Sequence, residues 1–308
     1  FVNRRGYAPA LKCAACAWEA MCPHCAARLV LHRAPAMMHC HHCGHAEKVA
    51  HACPQCGNVD LLPQGHGTQR LEAALAAAFP AARIVRVDRD SMRARGAFAR
   101  VRERVADDDV DILVGTQMLA KGHDFPRLTL VGVLGADNAL YSGDFRATER
   151  LAALLSQVAG RAGRASLPGQ VIVQTDFPSH PVFRSLVDDG YPAFADTLRA
   201  EREVAGLPPY SHLALLSAEA QQHDDVAAFL DAARQAGVRL AQALDGVEVN
   251  PPLPATLSRR AGYERAQLLL QSRERRKLQA FLAPFRAELD SLPARRVRWA
   301  LDVDPASF

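Results

Sequence analysis

All cysteines of this chain lie between Cys13 and Cys56, and the eight of them form four C-x-x-C knuckles: Cys13 with Cys16, Cys22 with Cys25, Cys40 with Cys43, and Cys53 with Cys56. One knuckle presents two thiolates to a tetrahedral Zn²⁺ and a second completes the site, at Zn–S distances of about 2.3 Å. Four knuckles therefore predict two four-thiolate sites. Three pairings are possible, and spacing selects one. Only 5 residues separate Cys16 from Cys22 and 9 separate Cys43 from Cys53, whereas 14 lie between Cys25 and Cys40, close to the zinc-ribbon interval of about 15–20. The expected arrangement is nested, with Cys13, Cys16, Cys53 and Cys56 on the first zinc and Cys22, Cys25, Cys40 and Cys43 on the second. Nesting draws Lys12 and Asn58 together, so residues 13–56 are expected to form a self-contained insertion in a host domain. Four thiolates close the coordination sphere and leave no position for a reacting water, so both zincs are expected to be structural. Seven histidines (24, 32, 39, 41, 42, 45 and 51) crowd the same segment, and with eight cysteines none is needed as a ligand. A thiol redox protein is the rival here, but it calls for one such knuckle rather than four.

The 308 residues are 49% hydrophobic and 23% charged, which excludes disordered and low-complexity classes and leaves room for two cores besides the insertion. Apolar runs such as residues 128–136 fall short of the ~18 residues of a membrane-spanning helix, so a soluble, cytoplasmic protein is expected. The chain opens at Phe1 in strand-like sequence with neither a basic nor an apolar leader region, and its natural start is expected upstream. From residue 251 to the end, 11 basic residues stand against 6 acidic ones. That local +5 exceeds the +4 of the whole chain and points to a polyanion partner.

Between residues 65 and 176, short β-branched runs alternate with helical patterns, as in β-α repeats on a parallel sheet. Strands are expected at 84–87, 111–115, 129–134 and 170–175, and helices at 69–79, 97–106 and 148–159. Residues 1–3 are expected to add a first strand. Two segments of this α/β unit carry chemistry. GTQMLAKGHDF, residues 115–125, follows a strand, which places Thr116 and Gln117 at the carboxyl end where open α/β sheets bind ligands. QVAGRAGR, residues 157–164, turns at Gly160 and Gly163 after a helix and projects Arg161 and Arg164. No Gly-Lys-Ser/Thr loop and no D-E-x-H strand end occur in the sequence, so a phosphate cradle is expected to lie outside it.

The last two segments, in this order, resemble motifs V and VI of the second RecA-like lobe of superfamily 2 helicases. Adding NRRGYAP (3–9), the eight-cysteine array, GTQRLE (67–72), RVDRD (86–90) and DVDP (302–305), the whole chain resembles the primosomal protein N′ (PriA) family of bacterial replication-restart helicases. The resemblance implies a RecA-like helicase lobe over residues 1–12 and 57–205, the inserted zinc module at 13–56, and an α+β DNA-binding domain at 206–308. It implies an ATP-dependent 3′→5′ DNA helicase at branched forks that initiates primosome assembly, using ATP and Mg²⁺ held partly by the missing lobe, with the isolated fragment inactive. Arg161 and Arg164 would reach the nucleotide phosphates, where planar guanidinium groups suit phosphoryl oxygens. Gln157, Gly160, Gly122 and Asp124 would line the nucleotide, and Thr116 and Gln117 would hold the DNA backbone.

After residue 206 the expected order is strand 212–216, helix 226–244, a proline turn, strand 266–271, helix 273–289 and strand 296–303. Arg259, Arg260, Tyr263 and Arg265 lie just before a strand, an arrangement in which arginines meet phosphates and the ring stacks on a base. By resemblance, the helix face of Arg275 and Gln279 would take the acidic tail of single-stranded-DNA-binding protein, and other primosome proteins would dock elsewhere. The competing function is a non-catalytic zinc-ribbon DNA-binding scaffold, against which the intact Arg161 and Arg164 argue.

Overall fold

A computed structural model describes residues 8–16, 18–32, 36–65, 67–92, 94–120, 125, 127–140, 144–160, 162 and 168–306. The chain gathers into two compact units, Phe1–Cys22 with Arg28–Phe194, and Pro23–Ala27 with Ala195–Phe308. In the first unit the chain enters on β1 (Ala10–Cys13), forms an antiparallel meander of β2 (Val30–His32), β3 (Met37–His39) and β4 (Ala46–Lys48), and leaves on β5 (Leu61–Gln64). Strands β1 and β5 pair antiparallel with Cys13 opposite Leu61, which closes the base of the Cys-rich segment. That segment is too small for a large apolar core: among its fully buried side chains are Leu29 and Met38. Segments this size need metal or disulfide staples.

The α/β part follows as α1 (Thr68–Ala78), β6 (Ile84–Val87), α2 (Ala97–Ala106), β7 (Ile112–Gly115), α3 (Gln117–Ala120), β8 (Leu130–Val133), α4 (Ala147–Ala159) and β9 (Gln170–Val173). Strands β6 and β7 are parallel, as are β8 and β9, so each pair needs a crossover helix, and α2 and α4 supply them. Helix α4 buries Leu151, Ala152, Leu155 and Val158, the i, i+4, i+7 stripe of an amphipathic helix. Apart from α3, for which no helix was expected, these elements match the expected ones to within two residues at each end. The first strand expected at residues 1–3 lies outside the described residues. Two further helices, α5 (Pro181–Asp188) and α6 (Gly190–Ala205), occupy a stretch for which the sequence reading gave no elements. The start of α5 is locally encoded: Pro181 sits in its first turn, and the His180 ring accepts the Val182 N–H at 3.2 Å.

The second unit is built on a sheet in the order β11-β13-β10-β14, with β12 on β13. Its elements are β10 (His212–Ala220), α7 (His223–Leu244), β11 (Glu248–Val249), β12 (Leu253–Arg260), β13 (Tyr263–Ser272), α8 (Arg275–Ser291) and β14 (Arg298–Val303). One core joins alternate residues of β10 (Ala214, Leu216, Ala218 and Ala220) and β13 (Leu268 and Leu270) to Leu230 of α7 and Phe281, Phe285 and Leu289 of α8. The period of two on the strands and of about 3.6 on the helices is what sorts these residues inward. The expected strands and helices occur in order, with two corrections: strands β11 and β12 stand where only a proline turn was expected, and Tyr263 and Arg265 lie within β13 rather than before it. Arg259 and Arg260 do not lie in a loop before a strand; they end strand β12. Register pairs Arg259 with Glu264 and Arg260 with Tyr263, leaving a two-residue turn in which Ala261 and Gly262 have φ of 51° and 83°. Two positive φ values are the mark of the type I′ turn that matches strand twist in tight hairpins.

Candidate metal centres

The knuckles are shaped by a repeated backbone device. The amide of Cys13 donates to the Trp18 carbonyl, that of Cys40 to His45 and that of Cys53 to Asn58, each at 2.8 Å. In the latter two, the glycine after the second cysteine, Gly44 or Gly57, donates to the first cysteine's carbonyl at 2.9 Å, with φ of 82° and 76°. Only a residue without a Cβ adopts that conformation cheaply. The turn folds both sulfurs of a knuckle to one side.

The sulfurs of Cys13, Cys16, Cys53 and Cys56 lie within 4.8 Å of one another, and so do those of Cys22, Cys25, Cys40 and Cys43. The sulfur separations are 3.6 Å for Cys13 and Cys56, 3.5 Å for Cys16 and Cys53, and 3.7 Å for Cys22 and Cys43. A tetrahedron with Zn–S of about 2.3 Å has an S···S edge of about 3.8 Å. These values fit that edge and are far longer than a disulfide's ~2.05 Å. None of the eight cysteines forms a disulfide. Backbone and amide donors aim at the sulfurs: Ala15 N–H to Cys13 at 3.3 Å, the Asn58 side-chain amide to Cys13 at 3.8 Å, and Ala261 N–H to Cys25 at 3.2 Å. Such donors stabilise ligating thiolates.

The protonation balance of the first cluster also calls for a cation. Burial would raise the Cys13 pKa, but the Ala15 and Cys16 amides and the Cys56 and Cys16 thiols outweigh it and pull it down to about 6. The Trp18 amide lowers that of Cys16, yet burial and the crowding of Cys56, Cys53 and Cys13 push it up to about 12. Sulfurs this close cannot all ionise together unless a dication offsets their mutual repulsion. Two Cys₄ clusters of this geometry have the form of two structural zinc sites.

Residues on the α/β side are placed as follows. Thr116 is half-buried directly after β7, and its carbonyl accepts the Leu119 N–H at 2.9 Å. Gln117 opens α3, which packs against α4. A Cβ on Gly115 would meet the Val87 carbonyl oxygen at 2.5 Å, so the glycine of this motif permits close approach of β7 to β6. Gln157 is exposed near the end of α4, and Gly160 caps that helix through its N–H on Ser156 at 2.9 Å. Gly122, Asp124, Arg161 and Arg164 lie outside the described residues.

Two other motifs, GTQRLE and RVDRD, meet through contacts that their local sequence does not signal. Asp88 of RVDRD, 1% exposed, accepts the Thr68 hydroxyl of GTQRLE at 2.6 Å. It also accepts the Ser91 and Asp90 amides and pairs with Arg86 at 3.3 Å, while Arg86 reaches Glu72 of GTQRLE at 3.4 Å. Burial alone would raise the Asp88 pKa, but Thr68, Ser91 and Arg86 outweigh it and hold it below the ordinary carboxylate value. No local pattern signals this link, because its two sides are 20 residues apart.

In the second unit, the turn at Ala261 and Gly262 is tied to segment Pro23–Ala27. Ala26 N–H donates to the Arg259 carbonyl and Gly262 N–H to that of His24, both at 2.8 Å. Arg260 is exposed. The guanidinium of Arg298 lies 4.5 Å from the Tyr263 ring centroid, and Arg265 pairs with Glu219 at 3.6 Å and donates to the Leu257 carbonyl. Arg275 and Gln279 are exposed on α8. No described helix is long and apolar enough to cross a membrane.

The family model of the primosomal protein N C-terminal domain matches residues 203–306, and that of the PriA DNA helicase Cys-rich region matches residues 22–48. Replication restart protein PriA of Haemophilus influenzae is 43% identical over 306 residues, covering 99% of this chain and 41% of the relative. The Bacillus subtilis protein of the same name is 36% identical over 310 residues, covering 99% of this chain and 38% of the relative. The chain thus spans about two fifths of the length of these curated relatives.

Proposed function

Because the chain belongs to the PriA family of replication restart proteins, we propose that the protein it represents is an ATP-dependent DNA helicase that moves 3′→5′ at branched replication forks and starts primosome assembly. The observation that carries this reading is the joint presence of two Cys₄ clusters, a β-α unit with GTQMLAKGHDF and QVAGRAGR at its strand and helix ends, and the family's C-terminal domain. In this reading the β-α unit is the second of two RecA-like lobes, spanning residues 1–12 and 57–205, with the zinc module at 13–56 and the DNA-binding domain at 206–308. The protein works in the cytoplasm.

ATP and Mg²⁺ bind between this lobe and its partner lobe. Arg161 and Arg164 supply planar donors to the γ-phosphate as charge builds in the transition state. Gln157 and Gly160, at the end of α4, shape the approach to the nucleotide, and Gly122 and Asp124 sense its state. Thr116 and Gln117, at the carboxyl end of β7, hold the DNA backbone, and lobe closure shifts that hold along the strand through the difference in nucleotide affinity between open and closed states. The exposed Arg260 and neighbouring Arg259 offer phosphate contacts from the hairpin. Tyr263 and Arg265, which have partners within the domain, contribute chiefly by holding the hairpin's shape. The exposed Arg275 and Gln279 face of α8 takes the acidic tail of single-stranded-DNA-binding protein.

The test is DNA-stimulated ATP hydrolysis by the full-length protein beside Arg161→Ala and Arg164→Ala. Each substitution is expected to lower kcat by about 10³-fold or more, on the scale of arginine-finger losses, while forked-DNA binding persists. Turnover within threefold of the parent in both variants would remove these arginines from the reaction. Absence of any DNA-stimulated turnover in the parent, with fork binding intact, would instead favour the non-catalytic scaffold.

A further inference from the structure

Outside both thiolate clusters, a third group of metal-binding side chains converges. His32 ends β2, His41 follows the first cysteine of the third knuckle, and Asp90 lies in the loop after β6. Their ligand atoms all lie within 4.8 Å of one another, and the His32 and His41 Nε2 atoms are 3.3 Å apart. Zinc bound to imidazole at about 2.05 Å in a tetrahedron has an N···N edge of about 3.3 Å. The rings stand edge to face rather than stacked, with centroids 5.2 Å apart and planes at 68°, so the two nitrogens converge while the ring bodies diverge. His32 is 7% exposed, whereas His41 is open to solvent and Asp90 half-buried. A cation there would be reached from one side and held from the other.

We propose that His32, His41 and Asp90 form a third metal site, for a divalent first-row transition ion of the zinc class, with two imidazoles and a carboxylate as ligands. Imidazole nitrogen suits such ions, and the carboxylate supplies the negative charge that the two neutral rings lack. Three protein ligands leave the fourth position to water, unlike the closed thiolate clusters. The nearby cation, Arg86, does not oppose the site strongly, because it pairs with Asp88 and Glu72. Bound metal would fasten the β2–β3 hairpin of the Cys-rich segment to the loop after β6, joining parts of the chain whose ligands are 49 to 58 residues apart. The proposal stands apart from the helicase reading, since it needs neither nucleotide nor DNA. A His32–His41 hydrogen bond without metal would give the same N···N separation, so metal content is the deciding observation.

The experiment is a metal count on the 308-residue chain after Zn²⁺ saturation and desalting, repeated with Co²⁺. Wild type is expected to hold three equivalents, and Asp90→Asn and His41→Asn two each. In all three proteins the eight thiols should stay shielded from a thiol reagent, which shows that the Cys₄ clusters remain formed. With Co²⁺, the third equivalent should add ligand-field absorption without further thiolate-to-metal charge transfer, as oxygen and nitrogen donors require. Two equivalents in saturated wild type would overturn the proposal, and so would a third equivalent that survives in both variants.

Discussion

Asp88 illustrates how a single residue can be fixed by its partners rather than by its neighbours in sequence. Its carboxylate is 1% exposed and would be costly to bury, yet Thr68, Ser91, Asp90 and Arg86 surround it with donors. Removing it strands the Thr68 hydroxyl and two amides in a buried place. Asp88→Ala is therefore expected to cost about 3 kcal/mol, and Asp88→Asn, which keeps an acceptor but loses the charge, about 1–2 kcal/mol, read from urea unfolding at pH 7. The sign with pH follows from the lowered pKa. The charged form is favoured in the fold, so its contribution is fully present above the unfolded carboxylate value of about 3.9 and is lost as pH falls through the still lower folded value. The stability gap between wild type and Asp88→Asn should thus be constant from pH 7 to about 5 and close below about 4. A gap that widened towards acid would mean that Asp88 is protonated in the fold.

Whole elements divide by the kind of information that makes them. Strand β6 and helix α2 coincide with their expected spans because β-branched alternation and the i, i+4 stripe are local properties. The nested cysteine pairing was likewise legible from spacing. Strand β12 was not: Pro251, Pro252 and Pro254 read as a turn, and it becomes a strand only by pairing with β13. Pro254 is tolerated because β12 has one partner and its register shifts between Pro254 and Arg259. The contacts of Asp88 with Thr68 and of Asp90 with His32 were illegible for the same reason, since they depend on how separate elements pack. Helix α8 presents the converse case. Its apolar stripe predicts a helix straight through Pro284, and the helix does run from Arg275 to Ser291. Burial of Phe281, Phe285 and Leu289 outweighs the missing Pro284 N–H and the clash with the preceding turn. Pro284→Ala should release most of that cost, less the greater freedom it gives the unfolded chain, and stabilise the second unit by about 2 kcal/mol. Hydrogen exchange across α8 would measure it; unchanged or lower protection would mean that the core is shaped around the proline ring.

At the scale of the whole molecule, metal and charge are linked in a direction opposite to intuition. With neutral thiols the chain carries a formal +4. Filling both Cys₄ clusters adds two dications but removes eight thiol protons, so the formal charge falls by four, to near zero, while the +5 of residues 251–308 is untouched. Zinc therefore leaves the positive charge concentrated in the tail, where a polyanion would be drawn to it. Capillary electrophoresis at pH 7 of zinc-loaded against chelator-stripped protein should show the loaded form less cationic by about three charges, because Cys13, with a pKa of about 6, has already lost its proton in the stripped form. A smaller drop would mean that some ligating sulfurs keep their protons, and no drop would remove the four-thiolate assignment. The third site reverses the sign, because it contains no thiol and so adds the charge of the ion without the release of thiol protons. Occupying it should return about two positive charges, so a titration that first lowers and then raises the mobility would resolve the two kinds of centre in one measurement.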